Sequence, residues 1–417
     1  MNKRNLNFAN KILIALILGI VFGIIGNVIF PKSFNEILSK WILTPVGNVF
    51  LRAIKMLVAP LVLTSLIVGT ANIKDVKKLG RVGIKIFIYY ILTTTLAITL
   101  SLIFANIIKP GIGINIPTPK EFKQTETPFV MDIFVNMIPT NPFEALTKGE
   151  MLQIIVFSIL FGISLSLLGE KGKPLFNILN CTNEVLLKII NIIMQFAPYG
   201  VFALISNVII FQGLDVLLPL LKYTLTIILV LIIQLIFIYG LLLKVIGKIN
   251  PVNFYKKFWP VMVVAFSTSS SNATIPVNLE TCEKKLGIPE SIASFTIPLG
   301  ATINMDGTAI MQGVAAIFIA QIYGINLSIS QQLMIILTAT LSSIGTAGVP
   351  GVGVIMLTMV LQSVGLPVEG IGIILGVDRI IDMARTVVNV TGDAVGTLIV
   401  SNSEKELNLN TYNSISI

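Results

Sequence analysis

Asp378, Asp382, the neighbours Arg385 and Thr386, Asn389 and Asp393 are spaced by three or four residues inside an otherwise apolar stretch, 368–400. That spacing places them on one face of a helix. A charge at the centre of a bilayer costs about 2.5–3.5 kcal/mol on insertion scales, so Asp306, Asp382, Arg385 and Asp393 would together cost roughly 10–14 kcal/mol if they faced lipid. They must face one another or a wet cavity. A salt-bridge network that only locks helices would bury the same charges, but an ionisable residue within a membrane is read first as functional. The planar fork of an arginine grips both oxygens of a carboxylate, and an aspartate suits an ammonium group. Arg385 beside Asp382 therefore suits a zwitterion that carries an extra acidic side chain. Asp306 and Asp393, close to amide and hydroxyl oxygens, suit a hard monovalent cation.

A bilayer is the solvent that composition demands. Of 417 residues, 54% are hydrophobic and only 12% are charged, against about 25% charged in a soluble domain. Residues 12–30 and 223–243 carry no charge, and each run is about long enough to cross a hydrocarbon core of roughly 30 Å. The first run follows Lys3 and Arg4 but is too long for a signal-peptide core, and no small-residue cleavage site follows it. It reads as the first span. The net charge of +9 reflects orientation rather than nucleic-acid binding, because the lysines cluster between apolar runs. Lys3, Arg4 and Lys11 precede the first span, and Lys74, Lys77, Lys78, Arg81 and Lys85 fill a later loop. Further clusters are Lys171 and Lys173, Lys244 to Lys257, and Lys284 with Lys285, whereas 211–217 and 324–330 have none. Lys109, Lys120 and Lys123 weaken the alternation without reversing it. The expectation is a cell-membrane protein with both termini cytoplasmic.

The elements that must position these residues differ between the halves. The first half reads as spans at 9–30, 41–71, 84–108, 129–169 (interrupted by two prolines at 138–148), 174–210 and 217–246, with a proline-rich loop at 110–128. In the second half, 251–291 holds two apolar segments around Ser267-Thr268-Ser269-Ser270-Ser271-Asn272-Ala273-Thr274, with basic residues at both ends. That pattern describes a re-entrant hairpin. A span at about 292–322 follows, broken at Asn304-Met305-Asp306-Gly307-Thr308. The pattern recurs at 328–365 around Ser342 to Gly351, without basic ends, and is followed by the polar span at 368–400. Two hairpin-plus-span units entering from opposite faces form an inverted repeat, and interrupted segments at corresponding positions point to a transporter's binding site. Broken backbone at that depth is tolerated only inside protein or along a cavity.

Other function classes fit less well. The two cysteines, Cys181 and Cys282, supply no disulfide framework or metal cluster, and there is no histidine. An intramembrane serine protease would need a Ser–Lys pair, and the nearest lysines, Lys284 and Lys285, lie in a loop. Opposed hairpins suit alternating access better than a continuous pore. The chain is not expected to be an enzyme.

Four motifs carry a resemblance: Ser269-Ser270-Ser271-Asn272-Ala273-Thr274, Asn304-Met305-Asp306-Gly307-Thr308, Ser343-Ile344-Gly345-Thr346-Ala347-Gly348-Val349-Pro350, and Asp382 to Asp393. In that order, and over essentially the whole chain, they resemble the glutamate transporter homologues, the dicarboxylate/amino acid:cation symporters. The resemblance implies an all-α polytopic membrane protein with eight transmembrane helices and two re-entrant hairpins, assembled as a homotrimer. It implies an elevator mechanism, with residues 1–250 mainly a trimerisation scaffold, 251–400 the transport core and 401–417 a cytoplasmic tail. The third and sixth spans would be shared with the core. Arg385 would hold the substrate's side-chain carboxylate and Asp382 its amino group, with Ser271, Thr308, Thr386, Asn389 and backbone at Gly353 completing the pocket. One sodium ion would sit on Gly300, Asn304, Asn389 and Asp393. A second would use Thr302, Met305, Ser343, Ile344 and Thr346, and a third Tyr90, Thr93, Thr94, Asn304 and Asp306. Retention of Tyr90, Thr93 and Thr94 favours sodium over protons, and Asp382 argues against a plain C4-dicarboxylate. L-Aspartate and L-glutamate are the expected substrates.

One departure stands out. Archaeal members carry an arginine where this chain has Ser269, and vertebrate members carry it at the position of Met383. Arg379, one turn before Met383, is the candidate for that role, and the alternative is an ion pair with Asp378.

Overall fold

The structure, a computed structural model, describes residues 8–71, 80–113, 135, 138–213, 217–344, 346 and 348–414. Lys3, Arg4, Lys74, Lys77, Lys78, Lys120 and Lys123, on which much of the orientation reading rests, lie outside the described residues, as do Gly345 and Ala347 of the third motif. Among the described residues there is no strand. By length and composition four helical stretches could cross a membrane: 32–71, 81–108, 217–245 and 290–322. A fifth is added if one bent pair counts as a single span.

Helix α1 (Phe8–Ile29) begins the first half. It is followed by α2 (Thr44–Ala71), α3 (Gly80–Ile108), α4 (Met151–Leu167), α5 (Lys173–Gln195) and α6 (Ala197–Gln212). Gly19, Gly23 and Gly26 form a small-residue stripe on α1 against α6. A Cβ at Gly23 would stand 2.7 Å from the Cβ of Ile209. Such stripes let helix backbones approach closely where lipid supplies no hydrophobic drive between helices. The Ser206 hydroxyl then donates to the Gly19 carbonyl at 3.1 Å. The expected single span at 174–210 is instead two helices, α5 and α6, that meet at 51°. Pro198 sits in the first turn of α6, where its missing N–H is harmless and continuation of the preceding helix is disfavoured.

Helix α7 (Leu217–Ile232) passes through a π turn, Ile233–Ile238, into α8 (Tyr239–Val245). The first polar interruption falls between α9 (Pro251–Thr268) and α10 (Ser271–Glu280). Ser269 ends α9 in the left-handed region at φ 51°, and Ser270 caps α10 by accepting from the Ala273 N–H at 3.2 Å. Helix α11 (Glu290–Ile303) stops at Asn304, and α12 (Asp306–Ile322) restarts one residue later. Asn304 and Met305 between them have non-helical backbone. The second interruption separates α13 (Ile329–Ser343) from α14 (Val352–Ser363), and Gly351 at φ 87° opens α14. Helix α15 (Ile371–Ser403) runs unbroken with its polar stripe buried. That stripe explains why so long a helix is not among the apolar spans.

Residues 404–414, after α15, fold back onto the molecule. Helix α16 (Leu409–Asn413) packs on α9 and buries Tyr412 completely. The Lys257 ammonium, itself buried, donates to the carbonyls of Lys285, Thr411 and Tyr412 at 3.0, 2.6 and 2.9 Å. The Tyr412 hydroxyl donates to the Asn250 carbonyl at 2.8 Å.

Candidate functional site

The breaks in the helices converge. The Ser270 hydroxyl donates to the Gly348 carbonyl at 2.7 Å, and the Asn272 N–H donates to the same oxygen at 3.1 Å. The two polar interruptions therefore touch, and both line one small cavity. All seven expected substrate residues line it: Ser271, Thr308, Gly353, Asp382, Arg385, Thr386 and Asn389.

Arg385 is 2% exposed and donates through Nε and Nη2 to Asp382 Oδ1 at 2.9 and 2.8 Å. Its Nη1 reaches Asp378 Oδ1 at 3.4 Å. Gly353 lies against the guanidinium, where an added Cβ would stand 2.8 Å from Cζ and both terminal nitrogens. Only glycine lets the α14 backbone come so near. Thr386 turns its hydroxyl back to the Asp382 carbonyl at 2.7 Å. Asn389 accepts from the Gly307 N–H at 2.7 Å, which ties α15 to the start of α12. Arg379 pairs with Asp382 rather than Asp378, with Nη1 3.6 Å from Oδ2, and its Nε is buried without a partner among the described residues. Two arginines and two aspartates are thus interleaved beside the cavity.

The expected cation residues fall in three neighbouring groups. Asn304 donates to Asp393 Oδ1 at 2.9 Å and to the Asn389 carbonyl at 3.2 Å. A Cβ at Gly300 would meet that same aspartate oxygen and the Tyr90 hydroxyl, each at 2.5 Å. The Asn304 Oδ1 is buried with no partner among the described residues. In the second group, Ser343 donates to the Ile303 carbonyl at 3.1 Å, which brings the end of α13 to the end of α11. Met305 and Thr346 line the substrate cavity beside it, and Thr302 bonds within its own helix at 3.0 Å. Ile344 is buried at the non-helical end of α13. In the third group, Asp306 Oδ1 accepts from Thr94 at 2.6 Å and Thr93 at 3.4 Å. Tyr90 turns its hydroxyl to the Thr296 carbonyl at 3.0 Å. Among the described residues no cluster of three or more His, Cys, Asp or Glu exists. The ligand sets are hydroxyl, amide and carboxylate oxygens with broken backbone nearby, a donor set suited to a hard cation.

Ser269, expected only as the position of a missing arginine, lines the cavity with its hydroxyl buried and without a partner among the described residues, and Val349 of the third motif lines it too. Sequence reasoning gave no role to Gln234 or Tyr239. Gln234 and Tyr239 donate to Asp306 Oδ2 at 3.1 and 2.8 Å. The only sequence signal for these two was polarity inside the uncharged run 223–243.

Comparison with known proteins identifies the family. Residues 8–403 match the family model described as the sodium:dicarboxylate symporter family. The chain is 42% identical to a proton/sodium-glutamate symport protein of Geobacillus stearothermophilus, covering 97% of this chain and 96% of the relative. It is 37% identical to a proton/glutamate-aspartate symporter of Escherichia coli (strain K12), covering 96% and 94%. A C4-dicarboxylate transport protein of Bacillus subtilis (strain 168) is 33% identical over 96% and 94%.

Proposed function

The chain belongs to the sodium:dicarboxylate symporter family and is an integral membrane transporter rather than an enzyme, and from that premise we propose that it imports L-glutamate and L-aspartate together with sodium ions. The observation that carries the reading is Arg385 held beside Asp382 at 2.8 Å on the wall of a cavity closed by two helix breaks. A side-chain carboxylate would take the guanidinium, and the substrate ammonium would take Asp382. A C4-dicarboxylate offers nothing to that aspartate. The orphaned Asn304 oxygen and the Asp306 and Asp393 carboxylates would hold the coupled cations.

Residues 251–400, with parts of α3 and the α7–α8 helix, would be the moving core, sliding against a scaffold through which three copies assemble. The eight spans, the two re-entrant hairpins, cell-membrane placement and cytoplasmic termini belong to the same proposal. Proton coupling is the competing reading, because relatives with substantial identity are named for protons or for both ions.

Reconstitution decides among these. Purified protein in liposomes is given radiolabelled L-aspartate or L-glutamate, with external sodium or with choline at matched pH. Uptake that requires sodium supports the proposal. Uptake in choline driven by an inward proton gradient refutes the sodium assignment. Uptake of succinate with neither amino acid transported refutes the substrate.

A further inference from the structure

The π turn at Ile233–Ile238 has a defined product. The Tyr239 N–H donates to the Gln234 carbonyl, the i→i+5 bond of a π turn. In a regular α-helix residues five apart point about 140° away from each other. The wider π turn brings them onto one face, and such turns recur at functional sites. Here both side chains reach one atom, Asp306 Oδ2, at 3.1 Å from Gln234 and 2.8 Å from Tyr239.

The two oxygens of Asp306 are therefore divided. Oδ2 is held by two neutral donors from the π turn, and Oδ1 is turned to Thr93 and Thr94 of α3. All of these residues are fully or almost fully buried. Two acceptor oxygens in the same group, Asn304 Oδ1 and Gln234 Oε1, are buried without partners among the described residues. Gly392 leaves the space for the phenol, since a Cβ there would stand 2.4 Å from the Tyr239 hydroxyl.

We propose that Gln234 and Tyr239 are positioning residues for a sodium ion at Asp306: they anchor Oδ2 so that Oδ1 stays aimed at the ion and the α3 hydroxyls. The inference rests on the sodium-coupled reading above. Without the anchors the carboxylate rotates about its terminal bond, and the ion loses its charged ligand part of the time. The Tyr239 hydroxyl also lies 3.3 Å from the Val388 carbonyl of α15, so Gln234→Ala is the variant that leaves α15 untouched.

The test uses the full chain, purified and free of substrate. Melting temperature is followed against sodium chloride, with choline chloride keeping ionic strength constant, because an ion that binds the folded state stabilises it by an amount that grows with the logarithm of its concentration over its Kd. Tyr239→Phe and Gln234→Ala should each need at least about tenfold more sodium for the same rise above the sodium-free value, as expected for losing a hydrogen bond to a charged group. In saturating sodium, L-aspartate affinity should stay within about threefold of wild type. Gln234→Ala carries the test alone if the tyrosine variant does not fold. Variants with a lower sodium-free melting temperature but an unmoved sodium requirement for the same rise overturn the inference alone, since that is the mark of packing only. A wild-type protein whose melting ignores sodium overturns both the inference and the sodium-coupled reading.

Discussion

Before any substrate arrives, Arg385 already faces two carboxylates, a close one on Asp382 and a looser one on Asp378. Removing one partner from a buried charge pair costs about 2–5 kcal/mol, much of it for the stranded charge. Arg385→Gln should therefore abolish binding of L-aspartate, with at least a hundredfold loss by calorimetry. Gly353→Ala should do much the same by another route. Its Cβ would press on a guanidinium that two aspartates hold in place, so acidic substrate binding should weaken at least about tenfold while gel filtration still reports folded protein. Arg379→Ala should weaken L-aspartate binding several-fold if Arg379 stands in for the arginine that Ser269 replaces, and an unchanged affinity and transport rate would refute that role. The Arg385–Asp382 pair was legible in the sequence, because residues three apart share a helix face. The Asp378–Arg385 contact follows from the same face, and it was the alternative pairing of Arg379 with Asp378 that the structure replaces. Asp378 and Arg379 are sequence neighbours, yet neighbours diverge by about 100° on a helix, whereas residues seven apart return to the same face.

Interrupted helices do the positioning at the next scale up. Ser, Asn, Gly and Pro inside apolar runs announced the breaks at 269–270, 304–305 and 344–351, because each of these residue types competes with or cannot sustain a helix. Two other features were hidden. The 51° bend between α5 and α6 falls at Pro198, with apolar residues on both sides that read as one continuous span, and the π turn shifts its residues off the 3.6-residue period by which helix faces are read. A clasp joins the starting end of α3 to the finishing end of α15, with Glu404 meeting Lys85 at 2.5 Å and Arg81 at 3.2 Å. The hydrogen bond from Lys85, reinforced by the charges of Lys85 and Arg81 and opposed by partial desolvation, lowers the Glu404 carboxyl below its ordinary value. Its stabilisation is then present above the unfolded carboxylate value of about 4.3 and disappears as pH falls through the folded one. Both lysine and arginine are well exposed, so Glu404→Gln should cost only about 0.5 kcal/mol at pH 7. The difference from wild type in thermal unfolding should shrink as pH falls below about 4.3.

For the whole molecule, the apolar exterior and the buried polar centre have the arrangement of a membrane carrier. Native mass spectrometry from detergent should find a particle of three 45.2 kDa chains; a monomer that transports would refute the trimeric scaffold. If three sodium ions enter with one net monoanion, two charges cross, and 100 mV supplies about 4.6 kcal/mol toward accumulation. Transport should therefore be electrogenic, with inward current on adding L-aspartate to proteoliposomes adsorbed on a solid-supported membrane. The docking of α16 bears on how such a molecule is made. Lys257 closes on carbonyls as far as 155 residues downstream. At about 5–20 residues per second, synthesis needs on the order of ten seconds to deliver those acceptors. During that interval the ammonium has no carbonyl from residues 411 and 412 to hold. Fastening of Lys257 thus trails translation of the interrupted helices, and a chain cut short before residue 411 would lack two of the carbonyls that hold it.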